Sequence, residues 1–292
     1  MDGIIIIDKP AEWTSHDVVA KLRGALRIKR VGHGGTLDPM ATGVLPIFIG
    51  RATRAVEFCE NANKEYIAGL RLGITTDTQD ITGNTLEVRN APVSLDDLLL
   101  TIPRFLGSQK QVPPMYSAVK VGGKKLYELA RRGIEIEREA RDIFVSDIEV
   151  LDGGGSDYLL RVVCSKGTYI RTLCHDIGTA LGCGGAMFSL RRTRAGAFTI
   201  DIAHTLDNAL EAISSGCAEK ITIPIDSVFD ANPALTLSET QTRKCKTGAA
   251  FQVENTPDGI FRFYASDGEF LLLGEVKDSA VRVVKRFFAA ND

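Results

Sequence analysis

Apolar and polar residues fall into separate patterns along the chain, and each pattern predicts an element. Residues 3–7 form a β-branched run that ends at Asp8-Lys9-Pro10, which reads as a strand. Beyond Thr14-Ser15, apolar residues recur at Val18, Val19, Leu22, Ala25 and Leu26. That spacing predicts a helix with Thr14 or Ser15 at its N-cap. A short helix is expected over 51–58, and the alternation over 64–73 predicts a strand. Residues 75–85 are rich in Thr, Asp and Gly and read as a loop; a helix is expected over 95–105 after a Ser94 cap. Two strands, 141–152 and 157–165, should flank Gly153-Gly154-Gly155, and 165–173 should lead into a helix containing Ile177, Ala180 and Leu181. A strand is expected over 190–198 and a helix over 206–218. Pro224 and Asn232-Pro233 mark a boundary. Beyond Leu235 the pattern changes to short strands at 251–253, 261–265, 270–276 and 281–287. Turn residues separate them, a spacing that suits a small β-barrel-like module.

Three stretches carry chemistry beyond this framework. In the first, Gly32, Gly34 and Gly35 precede Thr36-Leu37-Asp38-Pro39, and an apolar run follows at 44–49. Glycine permits close backbone approach, and proline fixes its own φ and restricts the residue before it. Asp38 therefore sits at a constrained corner, either as the cap of a tight turn or as a reactive group held in one pose. In the second, Pro113-Pro114 excludes a central strand, a Gly122-Gly123 turn and a basic helix over 124–132 are expected to follow, and Tyr116 and Tyr127 interleave with Lys120, Lys124, Lys125, Arg131 and Arg132. Aromatic rings among cations can stack bases and hold phosphates; ordinary amphipathic packing produces the same pattern. In the third, Arg171 lies where an apolar helix face is forming. A buried arginine needs a carboxylate, and Asp38 is one candidate among many.

Composition narrows the class. The chain has 292 residues, 44% hydrophobic and 25% charged, an ordinary globular balance. No run of 18 apolar residues marks a membrane span, and the start, MDGIIIIDKP, reads as a strand rather than a signal peptide. The six cysteines show no C-x-x-C pair or zinc spacing with the four histidines, so they are read as reduced thiols of a cytoplasmic protein. Charge is unevenly placed. Residues 9–54 hold eight basic and three acidic side chains, and residues 104–141 hold nine and four. With a total of -2, the remainder carries -12. Two basic regions on an acidic chain suggest a directed polyanion surface.

Several ordered motifs give the chain a family likeness. GHGGTLDPMATGVLPI, around Asp38, resembles the signature of bacterial tRNA pseudouridine synthases of the TruB type. DKPxxxTSHDVV, KEYxxxLRLG, QxPPxYSAxKxxGxxxYxxAR, SKGTYIRTLxxDIG and LRRTRxGxF extend the resemblance along most of the chain. It implies an α+β pseudouridine-synthase fold with a mixed, mostly antiparallel sheet and flanking helices. Residues 1–228 would form the catalytic domain, with an RNA-clamping insertion at about 109–141. Residues 229–292 would form a small β-rich, PUA-like RNA-binding domain.

The implied reaction converts uridine 55 in the T loop of tRNA to pseudouridine. The base is flipped out, and uracil is detached from C1′, rotated and rejoined through C5. Asp38 would be the catalytic carboxylate, attacking the nucleotide or deprotonating its sugar. Tyr66 would stack on the target base and transfer a proton, and Arg171 would pair with the catalytic aspartate. His33 would fill the space left by the flipped nucleotide. Tyr169 and Leu190 would line the base pocket, with Lys9 near the cleft. The resemblance implies no cofactor and no metal, since substrate and product are isomers. The implied partner is the tRNA T arm, with no membrane and no obligatory protein partner for a monomeric enzyme. An RNA-folding protein and a guide-RNA-dependent synthase within a larger particle are the rival readings, with a carboxylate hydrolase a distant third, since no second catalytic acid stands out.

Overall fold

The computed structural model describes residues 1–89 and 93–289. The chain sorts into two compact units, each visited more than once. One comprises Met1–Asp38, Leu45–Glu60 and Gly196–Asp292; the other comprises Pro39–Val44 and Asn61–Ala195. These clusters group the residues differently from a cut at 228. The chain leaves the first unit for the second at the Asp38–Pro39 bond.

In the first unit, strand Gly3–Lys9 places Ile4, Ile5, Ile6 and Ile7 wholly out of solvent. A continuous apolar run is what a strand covered on both faces requires. It pairs in parallel with His204–Thr205 and adjoins Thr42–Ile49, on which Val31–His33 lies antiparallel. Helix Ser15–Leu26 begins where the spacing predicts. Thr14 caps it in a reciprocal box with Asp17, and Val18, Val19 and Leu22 are buried. The helix expected over 51–58 is a 3-10 turn, Gly50–Ala55, running into Val56–Asn61. The helix expected to reach 218 is Leu206–Ser214, because Gly216 turns the chain at φ 75°.

The C-terminal stretch of this unit forms a four-stranded sheet in the order Ala234–Thr236, Gly259–Tyr264, Phe270–Lys277, Ala280–Arg286. Leu237, Phe251, Phe261, Phe263, Leu271, Leu272 and Phe288 are among its own buried core. Two expectations fail here. Residues 251–253 form no strand; Phe251 and Val253 pack into this core, and the backbone meets the sheet at an isolated bridge from Gln252 to Ala280. Helix Glu239–Thr247 also stands where only short strands were expected. Cys245 is its one buried residue, so no hydrophobic period announces it. Its signals are local: a Ser238–Gln241 capping box at the start and left-handed Gly248 at the end.

In the second unit, the strand order runs from residues 42–44 of strand Thr42–Ile49 to Gly185–Ala195, Lys64–Leu72, Asp157–Cys164, Arg141–Gly154 and Gly107–Gln111. The first pairing is parallel and the others are antiparallel, giving the mixed, mostly antiparallel sheet expected. The strand expected over 190–198 starts earlier, at Gly185, where buried Ala186 and Met187 pair with Arg71 and Leu70. The stretch read as a loop over 75–85 is flanked by a small hairpin, Ile74–Thr76 with Thr85–Val88. All four residues of its second strand are exposed, which leaves no alternation to read. The basic helix expected over 124–132 is only Leu126–Ala130. Lys124 and Lys125 instead belong to a hairpin with Lys120–Val121, turned by Gly122 (φ 57°) and Gly123 (φ 82°). Two consecutive positive φ values suit a tight hairpin turn.

Helix Ile170–Ala180 lies against the start of the Gly185–Ala195 strand through Gly178. A Cβ on Gly178 would sit 2.3 Å from the Gly184 carbonyl carbon and 2.3 Å from the Gly185 nitrogen. Those neighbours are backbone and cannot swing aside. Gly178→Ala should therefore destabilise the protein by about 2 kcal/mol through overpacking, lowering its urea midpoint. An unchanged midpoint would show that the helix has room to slide.

Candidate active site

In the first unit, Asp38 occupies an irregular segment between Val31–His33 and Thr42–Ile49 and is partly buried. The residue before it is anchored. Buried Ser15 accepts the Leu37 N–H at 2.8 Å and donates its hydroxyl to the Leu37 carbonyl at 3.2 Å. Pro39 follows directly, so the backbone is restrained on both sides of the carboxylate. Gly34 supplies the close approach expected of this loop. Its N–H donates to Pro46 O at 2.9 Å, and a Cβ there would meet Cys59 Sγ at 2.7 Å and Phe48 Cε2 at 2.8 Å. His33 ends the preceding strand, opposite Ile47. Lys9 is wholly buried, and its ammonium donates to Pro10 O at 2.8 Å and Trp13 O at 2.7 Å.

In the second unit, Arg171 opens the helix Ile170–Ala180 and is 6% exposed. Its guanidinium donates to Asp80 Oδ2 at 3.3 Å, to Thr78 O at 3.4 Å and to Tyr116 O at 2.9 Å. Asp80 is thus a carboxylate partner for the buried arginine. It is 4% exposed, and its Oδ1 accepts from Thr78 Oγ1 at 2.9 Å, Thr82 N at 2.9 Å and Thr82 Oγ1 at 2.5 Å. A buried carboxylate is tolerable when its lone pairs are satisfied in this way. Sequence reasoning passed over Asp80 because it lies in a polar stretch that reads as surface loop. The Thr-x-Asp-x-Thr spacing, able to make Asx-type turn bonds, was the available signal.

Tyr66 lies in strand Lys64–Leu72, opposite Arg192 on one side and Val162 on the other. Leu190 pairs with Ala68 two residues along. Paired residues share a face and the side-chain period is two, so Tyr66 and Leu190 project from the same face of the sheet. Tyr169 is the N-cap residue of the helix that carries Arg171.

Within residues 109–141, Met115, Leu126 and Leu129 form a small core with Tyr116 packed against it. Lys125 Nζ and the Arg131 guanidinium lie 5.4 Å and 5.5 Å from the Tyr127 ring centre, within cation–π range. Lys120, Lys124, Arg131 and Arg132 are exposed. Among the described residues, none of these five cations forms an ion pair, whereas Arg71, Arg89 and Arg161 are all paired. Among the described residues, no group of three or more His, Cys, Asp or Glu could hold a metal ion, and no disulfide joins the six cysteines.

Two family models match the chain: TruB family pseudouridylate synthase (N terminal domain) over residues 23–170, and tRNA pseudouridylate synthase B C-terminal domain over 171–229. A protein of Clostridium kluyveri named tRNA pseudouridine synthase B is 43% identical, covering 98% of this chain and 100% of its own length. One of the same name from Azoarcus sp. is 41% identical over 100% and 96%. Among solved structures, an H/ACA ribonucleoprotein bound to a substrate RNA containing 2′-deoxyuridine matches with TM-score 0.76 and 28% identity, covering 99% of this chain and 86% of that one. A Cbf5-Nop10-Gar1 complex matches with TM-score 0.75 and 31% identity, over 98% and 85%. The pseudouridine-synthase fold expected from the sequence is present, and its C-terminal sheet fits the PUA-like module. The chain belongs to the TruB family of pseudouridylate synthases.

Proposed function

We propose that this chain is a standalone tRNA pseudouridine synthase that isomerises uridine 55 of the T loop, with Asp38 as its catalytic carboxylate. The observation that carries the reading is likeness over nearly the whole chain to proteins named for that reaction. The anchored backbone on both sides of Asp38 supports its role, since a reacting group must be held in one pose. The target base sits inside a folded loop and must leave its stack. Asp38 then acts on the flipped nucleotide. The N1–C1′ bond breaks, uracil turns, and C5 bonds to C1′. The C5 proton leaves and N1 ends protonated, so atoms balance without any co-reactant. Tyr66 stacks on the base and serves proton transfer, with Leu190 on the same sheet face and Tyr169 completing the pocket. Arg171 is the counter-ion of the site, His33 fills the gap left by the base, and Lys9 braces the loop behind it.

Residues 109–141 act as a clamp on the T arm, through Tyr116 and Tyr127 and the unpaired cations Lys120, Lys124, Lys125, Arg131 and Arg132. Lys124→Gln with Lys125→Gln should weaken tRNA binding several-fold and reduce the dependence of affinity on salt, since fewer counterions are released. An unchanged salt slope would show that the insertion does not touch phosphates. Residues 229–292 are proposed as a PUA-like RNA-binding domain. Among the described residues, no helix is long and apolar enough to cross a membrane, and the proposed place of action is the cytoplasm, as a monomer.

The matched H/ACA ribonucleoprotein and Cbf5-Nop10-Gar1 complex favour a second reading, in which the chain works within a larger particle. The identity to the tRNA pseudouridine synthase B proteins is higher, 41–43% against 28–31%, and favours independent action. Release of the C5 hydrogen from an unmodified T-arm stem-loop by the purified chain separates the two. Release without guide RNA or added protein is the expected result; release only after such additions would support the particle.

A further inference from the structure

A glutamine at the root of the proposed insertion holds the N-cap residue of the Arg171 helix from outside. Gln111 is 4% exposed, at the end of strand Gly107–Gln111. Its Nε2 donates to Tyr169 O at 3.0 Å, and its Oε1 accepts the Tyr169 N–H at 2.8 Å. The side-chain amide therefore binds Tyr169 as a neighbouring strand would, using donor and acceptor together. A buried amide left half-paired is costly, and only this orientation satisfies both ends.

The bond has an unusual task. Tyr169 is the N-cap, yet it makes no side-chain capping bond. Its carbonyl already accepts the Leu173 N–H at 3.0 Å, so Gln111 takes the second lone pair. Gln111 thus fixes the backbone at which the Tyr169 ring and, two residues on, the Arg171 guanidinium leave the chain. Five residues beyond Gln111, the Tyr116 carbonyl accepts from Arg171 at 2.9 Å. The segment between contains Pro113-Pro114, which stiffens it. A short strap rooted in the insertion is tied at two points to the start of the helix.

We infer that Gln111 is a positioning residue for Tyr169 and Arg171, and that the strap from Gln111 to Tyr116 couples placement of the insertion on RNA to the geometry of the base pocket. The inference rests on the proposed roles of Tyr169 and Arg171. It predicts that Gln111→Ala lowers the single-turnover rate at saturating RNA at least tenfold, while tRNA affinity and folded fraction stay near wild type. The decisive measurement is a double-mutant cycle with Tyr169→Ala. If Gln111 acts through Tyr169, Gln111→Ala costs little further rate in that background. Full additivity, a wild-type rate for Gln111→Ala, or a rate loss matched by loss of folded protein would each overturn the inference. Wild-type enzyme assayed in parallel keeps the tests apart: no pseudouridine from wild type defeats the proposed function, whereas an active wild type with an indifferent Gln111→Ala defeats only this inference.

Discussion

Asp38→Asn should abolish turnover while leaving tRNA affinity within about threefold of wild type. The substitution keeps size and planarity and removes only the charge and the nucleophilic oxygen. Its surroundings should hold their shape. Ser15 binds both the N–H and the carbonyl of Leu37, and Pro39 constrains the other side. The reaction proposed has no alternative group to act on the nucleotide, so loss of the carboxylate should cost about 10⁴-fold or more in single-turnover rate, in the range seen when a nucleophile is deleted. Affinity depends on phosphate contacts across the basic regions and not on this one acid. The check is product formed at saturating enzyme beside a binding titration. A variant retaining more than about 1% of the wild-type rate would remove Asp38 from the chemistry.

Arg171→Ala should show the second largest effect, and it should be double. The guanidinium joins Asp80, Thr78 O and Tyr116 O. Deleting it strands a buried carboxylate, which typically costs about 3–5 kcal/mol. The three bonds from Thr78 and Thr82 should keep the loss near the lower end. The rate at saturating RNA should fall about 10²–10³-fold from loss of a preorganised electrostatic group, with little change in affinity. Arg171→Lys restores charge but not the planar fork that reaches three acceptors, so it should recover more stability than rate. Thermal unfolding and single-turnover assays on the same preparations test this. A folded Arg171→Ala protein with wild-type rate would confine Arg171 to a structural role.

What could be read from the chain differs between elements for physical reasons. The helix starting after Thr14 and the one after Ser94 announced themselves because both use a Ser/Thr capping box; the first also turns Val18, Val19 and Leu22 inward, whereas the second buries Leu98 and Thr101 and leaves Leu95, Leu99 and Leu100 exposed. The central strands were legible because apolar runs and alternation follow burial. Helix Glu239–Thr247 buries one residue, so its information is confined to its caps. Strand Thr85–Val88 buries none. Lys124 and Lys125 looked helical beside Leu126–Ala130, but the two glycines before them enforce a hairpin. At the site, the need of Arg171 for a carboxylate was readable from its place on an apolar face. The identity of Asp80 was not, because its burial depends on threonine bonds that do not alter hydrophobic pattern. Gln111 was equally hidden, since an amide acting on a backbone 58 residues away leaves no periodic trace. The assignments of Tyr66, Tyr169, Leu190, His33 and Lys9 came from the family motif rather than from any pattern in the residues themselves.

The chain alone is expected to modify one uridine of tRNA. The most direct test is position-resolved mapping of pseudouridine in an unmodified full-length tRNA transcript after incubation with the purified protein. A single new pseudouridine at position 55, absent when Asp38→Asn replaces the wild type, is the predicted result. No modification, modification at other uridines, or the same product from both proteins would contradict it.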